Sequence, residues 1–349
     1  MHLSPQPAGP MRVAVTGATG FAGGHTLRAL VDAGHEPVPL VRDESKLRSV
    51  EQLHGLEPLT GVIGDICDPG AVTALCDGAD ALIHTAAVAF IGPRHRAAIE
   101  ATNVPGTRLV LEAATARELD PVVHLSSTSA LHPPPGGRYH RDNPVSPTPL
   151  GDYSRSKAES EQIARQLQDA GHPVTIVWPS GIAGPDDVGC SVMAEGTAKL
   201  LQTGVLPLAT SGGNLMHDVR DLATVLARLM EPGLGARRYG VFGHFLSWPD
   251  MAAVVQEVSG ATLRTPTIPN WVFAALGRFG DLVGRVGVEP PLDSATAAFM
   301  TGLVPGDDRE TRDELGVEWR PIETTMGDML RWLVATGRLD ARRAPALHA

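Results

Sequence analysis

Thr16-Gly17-Ala18-Thr19-Gly20-Phe21-Ala22-Gly23 decides how this chain folds. Before it, residues 11–16 (MRVAVT) are a short β-branched run, which predicts a buried strand. After it, an apolar-periodic stretch through Val31 predicts a helix, ended by Ala33-Gly34-His35. Strand, glycine turn and helix together make an anion site. Gly17 permits the tight turn, Gly20 lets backbone approach a pyrophosphate, and Gly23 lets the helix pack close to the strand. The helix N-terminus then points unpaired N–H groups at the anion. No Lys-Ser/Thr pair follows the glycines, which excludes a Walker-type phosphate loop.

Working outward, short strands are predicted at residues 37–41, 62–64, 79–85, 122–126 and 174–177, and helices at 69–76, 97–116 and 153–170. Strands alternating with helices imply βαβ units, and right-handed crossovers put helices on both faces. The expected fold is α/β: a Rossmann doubly wound parallel sheet over residues 11–180. After Pro179 the alternation fades. Residues 132–149 are proline-rich and predict a loop, and 181–216 mix Gly, Asp and short apolar pieces. A helix at 219–230 fits a segment, 217–243, that returns to the sheet. Residues 181–340 are otherwise expected to form a smaller mixed α/β substrate domain, with helices near 271–286 and 325–333. Residues 1–10 and 341–349 are expected to be disordered tails.

Composition bounds the function. At about 150 residues per domain, 349 residues suggest two domains. Hydrophobic residues at 43% and charged residues at 19% are ordinary for a globular protein. The net charge of −10, with no Lys/Arg run, argues against a nucleic-acid partner. The three cysteines are odd in number and form no C-x-x-C pair, so neither a disulfide framework nor a zinc site is expected, and no metal site is read from any spacing. The first ten residues lack a charged segment followed by an apolar one, so no signal peptide is expected. No apolar run reaches about 18 residues, so no membrane span is expected, and a cytoplasmic location fits best.

Two further patterns carry chemistry. A dinucleotide fold usually places an acid about 20 residues after the glycines, on the ribose 2′-hydroxyl. Here Arg42 stands at that place and can pair with a 2′-phosphate, with Lys46 one helical turn further on. This favours NADP over NAD. The alternative is that Arg42 is a solvated loop charge and Asp43 serves an NAD ribose. The second pattern is Tyr153-Ser154-Arg155-Ser156-Lys157. Positions i and i+4 share one helix face, so phenol and ammonium can converge on one ligand. A phenol alone has a pKa near about 10, and a nearby ammonium favours phenolate, making Tyr153 a candidate general acid or base.

With Thr16 in front of G-x-x-G-x-x-G, Asn103-Val104-Pro105-Gly106-Thr107, Leu125-Ser126-Ser127-Thr128-Ser129, Y-x-x-x-K and residues 177–185, most of the chain resembles the extended short-chain dehydrogenase/reductase family, part of the NAD-dependent epimerase/dehydratase superfamily. The resemblance implies a cofactor held by Gly17, Thr19, Gly20, Phe21 and Gly23, with Asp65 and Ile66 at the adenine. For Asp65, a cap on the helix starting at Pro69 is an equal alternative. Thr85, Ala86 and Ala87 would lie along the cofactor, Pro179 and Ile182 beside the nicotinamide, and Asn103 would support the site. Lys157 would hold the ribose hydroxyls, and Thr128, with Ser127 next, would polarise the substrate oxygen. Family members dimerise through helices equivalent to 97–116 and 153–170, so a homodimer is implied.

Trp178 replaces the family's Arg. Asp221 reads as organising its helix start, and His132 and His140 as solvated loop residues. Dehydratases of the family carry acids where Ser129 and Ala130 stand here. Arg42 speaks against an epimerase with tightly bound NAD. Residues 268–276 suit either an apolar substrate wall or a core helix. The pattern looks most like the dihydroflavonol-reductase and 3β-hydroxysteroid-dehydrogenase branch, which implies reduction of a ketone or aldehyde on a small, fairly apolar molecule. The alternatives are a nucleotide-sugar epimerase, and an NADP(H)-binding regulator without turnover; the regulator is disfavoured because Tyr153 and Lys157 are both present.

Overall fold

A computed structural model describes residues 9–89, 95–284 and 292–348. Most of the tail expected at residues 1–10, the Val286 end of one expected helix and Ala349 lie outside the described residues. The first half alternates strand and helix in this order: β1 Arg12–Thr16, α1 Phe21–Asp32, β2 Glu36–Val41, α2 Glu44–His54, β3 Val62–Ile63, α3 Pro69–Cys76, β4 Ala81–His84, α4 Arg96–Thr115, β5 Val122–Leu125, α5 Gly151–Asp169 and β6 Val174–Pro179. The chain continues through β7 Gly181–Ala183, α6 Val192–Thr203, β8 Leu208–Ala209, β9 Gly213–Asp218, α7 Val219–Arg228, β10 Arg237–Val241, β11 His244–Ser247 and α8 Trp248–Ser259. It ends with β12 Thr267–Ile268, α9 Asn270–Gly284, α10 Ser294–Gly302, α11 Arg309–Leu315 and α12 Ile322–Ala335.

Seven strands form one sheet in the order β10-β6-β5-β4-β1-β2-β3, every neighbouring pair parallel. The order reverses between β1 and β4, and ligand crevices open at such a switch point, beyond the carboxyl ends of the strands. Side chains alternate faces along each strand. Val13 and Val15 therefore join Leu27, Leu30, Leu222 and Val225 in a core under α1 and α7, while Ala14 joins Leu75, Val110 and Ile163 under α3, α4 and α5. Pro37 and Pro39 lack N–H groups, but β3 pairs with β2 only at Leu40 and Val41, so little of the ladder is lost. A third core gathers residues of the C-terminal half, including Leu201, Val255, Met329 and Leu330, around α6, α8 and α12.

Several elements depart from the expectations. The stretch 181–216 contains a regular helix, α6, capped by Ser191. Helices α2 and α8 were also not expected. α2 is mostly polar and buries only Leu47, Val50 and Glu51, so its apolar period is thin. The proline-rich segment is anchored: His132 is buried and its Nδ1 hydrogen-bonds the Tyr139 hydroxyl at 2.6 Å, so it is no solvated loop residue. Asp221 stands in the first turn of α7 as expected, while Asp218 is the cap, accepting the Arg220 N–H at 2.8 Å. Asp221 also holds Arg320 through that residue's N–H at 2.8 Å and its guanidinium. Residues 341–348 are ordered in two 3₁₀ turns, with Ala344 fully buried and Leu347 packed against the third core. Alternating small and charged residues hid this docking in the sequence. Among the described residues, no helix is long and apolar enough to cross a membrane.

Truncation after Leu339 should therefore destabilise the protein by about 1–2 kcal/mol, the worth of the apolar surface it uncovers. The urea midpoint measures this; an unchanged midpoint would mean the tail contributes nothing.

Candidate active site

A cleft of about 1440 Å³ runs along the carboxyl ends of the strands and into the C-terminal half. The glycine turn forms one end. Gly17 has φ +72°, and a Cβ there would sit 2.6 Å from the Ala86 nitrogen and the Thr85 hydroxyl. Only glycine meets both demands. Gly20 donates its N–H to the Gly17 carbonyl at 2.9 Å and caps α1 without a side chain, which leaves the first-turn N–H groups facing the cleft. Thr85 Oγ1 donates to the Thr16 carbonyl at 2.8 Å. Thr16 Oγ1 meets His84 Nδ1 at 2.7 Å, and His84 Nε2 meets Thr107 Oγ1 at 3.0 Å, tying β1, β4 and α4 together. Burial pushes the His84 imidazole down to about 3, so it is a neutral strut. This cradle fits a dinucleotide pyrophosphate: glycines where backbone must come close, and a helix N-terminus without a side-chain cap.

Of the expected cofactor contacts, Gly17, Thr19, Gly20, Phe21, Gly23, Arg42, Asp65, Ile66, Thr85, Ala86, Ala87, Pro179 and Ile182 all line the cleft. Lys46 does not; it is exposed on α2, away from the lining. Asn103 lies behind the wall. Its Oδ1 accepts the Val88 N–H at 2.8 Å, and its Nδ2 donates to Ser156 Oγ at 2.9 Å and the Val88 carbonyl at 3.1 Å. Ser156 Oγ in turn donates to the Tyr153 carbonyl at 2.8 Å. Asn103 thus positions the turn of α5 that carries Tyr153. Asp68, not Asp65, caps α3. Asp65 accepts the Cys67 N–H at 2.9 Å and faces Arg42 at 3.8 Å.

Tyr153 and Lys157 come to the cleft together from α5, as the i, i+4 spacing requires. Lys157 is buried and donates from Nζ to the Leu125 carbonyl at 2.9 Å. Burial pulls its ammonium down to about 8. Burial pushes the Tyr153 phenol up to about 12, against a hydrogen bond with Ser127 that lowers it. Desolvation thus outweighs the Ser127 hydrogen bond, and Tyr153 holds its proton at neutral pH. Ser127 carries the hydroxyl that meets this phenol, and Thr128 also lines the cleft, at the start of a 3₁₀ turn that Ser127 caps.

The Trp178 departure has a structural cause. Trp178 is fully buried and absent from the cleft lining, and its Nε1 donates to Glu161 Oε2 at 2.6 Å. The same oxygen accepts from Ser126 Oγ at 2.7 Å, while Arg165 donates twice to Oε1, at 2.7 and 2.9 Å. Glu161 went unnoticed in the sequence because a Glu one turn after Lys157 reads as an exposed helix charge. The apolar wall is also relocated. Trp271 and Leu276 are 72% and 49% exposed and do not line the cleft, which α9 meets only at Gly280, Asp281 and Gly284. Met193, Leu206, Trp248, Met251, Phe299 and Leu303 supply that wall instead.

A doubly wound parallel sheet with this glycine turn and a Tyr–Lys pair in one cleft defines an NAD(P)-dependent enzyme of the short-chain dehydrogenase/reductase type. Residues 13–241 match the NAD dependent epimerase/dehydratase family, and the chain belongs to it. It is 27% identical over 333 residues to sterol demethylase protein B of Methylococcus capsulatus, covering 94% of this chain and 100% of that protein. It is 32% identical over 341 residues to the 4-hydroxy-2-methyl-3-oxo-4-farnesyl-3,4-dihydroquinoline-1-oxide ketoreductase of Stigmatella aurantiaca, covering 92% and 96%. The crystal structure of gox2253 superposes with a TM-score of 0.80 at 25% identity, covering 95% of this chain and 99% of that one.

Trp178→Phe should cost about 2 kcal/mol, the usual worth of a hydrogen bond to a charged group, and leave the cleft residues in place. Urea unfolding measures the cost; a loss below about 0.5 kcal/mol would show that Glu161 does not depend on the indole.

Proposed function

We propose that this enzyme reduces a ketone or aldehyde on a small, fairly apolar molecule, with NADPH as hydride donor and Tyr153 as proton donor. One observation carries the reading: the character of the cleft beyond Tyr153. Its wall there is the apolar set from Met193 to Leu303, and its charged side chains are mostly acids, among them Asp152, Asp187, Glu195, Asp281 and Asp293. Among the described lining residues the only Lys or Arg are Arg42 and Lys157. A nucleotide-sugar diphosphate would meet carboxylates where it needs cations, which disfavours an epimerase. Ser129 and Ala130 leave a dehydratase without its acid. The name of the Stigmatella relative, a ketoreductase, agrees.

The residues divide the work as follows. The bound nicotinamide supplies the hydride. Tyr153 keeps its proton on the phenol oxygen and gives it to the substrate oxygen, for which a phenol held protonated is suited. The Ser127 and Thr128 hydroxyls orient that oxygen. Lys157 holds the cofactor ribose and keeps a positive charge beside the phenol below about pH 8.

Arg42 supports NADPH. Its side chain is 78% exposed and, among the described residues, is held by the 3.8 Å pair with Asp65, so it can turn to a 2′-phosphate. Asp43 is engaged elsewhere: its Oδ1 accepts the Ser45 N–H at 2.9 Å and the Ser45 hydroxyl at 2.7 Å as the cap of α2.

NADPH offered with a panel of aryl ketones, steroid ketones and aldehydes should be oxidised with at least one of them. Tyr153→Phe should lower that turnover by at least about 100-fold while NADPH fluorescence still reports binding. Conversion of a nucleotide sugar with bound NAD, and no turnover on the panel, would reject the reading. Arg42→Ala should raise the KM for NADPH by about 10-fold or more and leave that for NADH nearly unchanged; equal effects on both would return the cofactor to NAD.

A further inference from the structure

His25, His54 and Asp186 come from three separate elements: α1, the last residue of α2, and the loop after β7. Their ligand atoms all lie within 4.8 Å of one another. None has a role in the reduction described above. We infer that these three residues form a site for one divalent transition-metal ion of the zinc class, which clamps α1 and α2 to the loop after β7.

The donor set and its support both point this way. Two imidazoles and one carboxylate suit Zn²⁺ and its neighbours, whereas Mg²⁺ and Ca²⁺ prefer oxygen alone. Four-coordinate zinc holds its ligands at about 2.0–2.2 Å, so donors stand about 3.4 Å apart. The three donors stand within 4.8 Å of one another, so an ion has to draw them closer. His25 Nε2 lies 3.1 Å from the Pro185 carbonyl. A carbonyl only accepts, so Nε2 carries the proton and the lone pair stays on Nδ1. A ligating histidine is typically braced in this way by its second nitrogen.

The rings are ready to ligate. The His25 and His54 rings meet edge to face with centroids 4.6 Å apart. Among the described residues the His54 side chain has a ring contact with His25 and the charges of Asp186 and Arg28 nearby, but no hydrogen bond. His54 and Asp186 also line the cleft, so an ion there keeps open positions for water on that side. An ion so placed would link the helix that begins at the glycine turn to the loop that follows β7.

The test is metal binding itself and does not depend on turnover. Protein stripped with a chelator is titrated near neutral pH with Co²⁺, followed by visible absorption, and with Zn²⁺, followed by calorimetry. One equivalent should bind with a Kd in the micromolar range or tighter, without the thiolate charge-transfer band that cysteine ligation would give. His54→Ala and Asp186→Asn should each weaken binding by about 100-fold or more. Zn²⁺ should raise the melting temperature of the native protein and of neither variant. His54→Gln, which keeps the size of the side chain, replaces His54→Ala should the latter fail to fold. No saturable uptake below millimolar metal, a thiolate band, or unchanged affinity in either variant would overturn the site.

Discussion

Glu161 has no exposed surface, and a buried carboxylate costs several kcal/mol unless every lone pair is satisfied. Ser126, Trp178 and Arg165 meet that demand together. Ser126 follows β5, Trp178 lies on β6, and Arg165 lies on the next turn of α5 itself. The helix that carries Tyr153 and Lys157 is thereby bound to two sheet strands at one point. Lys157 adds its own bond to the Leu125 carbonyl one turn away. The Arg165 guanidinium lies 5.7 Å from the Trp178 ring, closing the group. Trp178 is part of this arrangement and lies outside the cleft lining.

Two buried histidines lie near Lys157. His84 and His124 stack at 5.7 Å, both fully buried, and burial with the nearby Lys157 charge keeps them neutral. In such surroundings one cause moves two neighbouring groups in opposite directions. Desolvation disfavours charge, so it raises the Tyr153 phenol and lowers the Lys157 ammonium. The pair is left as a proton-holding acid beside a cation that can still be neutralised within an ordinary pH range.

The local patterns were legible in the sequence. The β-branched run before the glycines, the glycine spacing, and the Tyr153–Lys157 interval each state their structure within a dozen residues, and each appears where expected. α3 matches its expected limits at Pro69 and Cys76. What escaped was non-local. Glu161 and Trp178 are ordinary residues until the fold brings them together. His25, His54 and Asp186 span so much sequence that no ligand spacing can announce them. α2 and α6 bury only narrow stripes, and 3.6-residue periodicity fades when polar residues fill the remaining face. Of the two readings of the apolar segment 268–276, the substrate wall fails, while the core helix holds at Phe273, which is buried in the third core. Lys46 shares a helix face with Val50 and Leu53, which line the cleft, yet does not itself line it.

The seventh strand has a further consequence. β10 pairs with β6 in register from Thr175–Arg237 to Pro179–Val241 and closes the sheet on that side. Until residues 237–241 leave the ribosome, β6 presents a row of unpaired backbone groups, with Trp178 beside them. An unfinished sheet edge is a template for pairing with other chains. The nucleotide-binding half therefore cannot be cut free at the end of β6 without leaving an adhesive border. Fragment complementation, in which a C-terminal piece supplies β10 to a waiting N-terminal piece, is the form of assembly this topology permits.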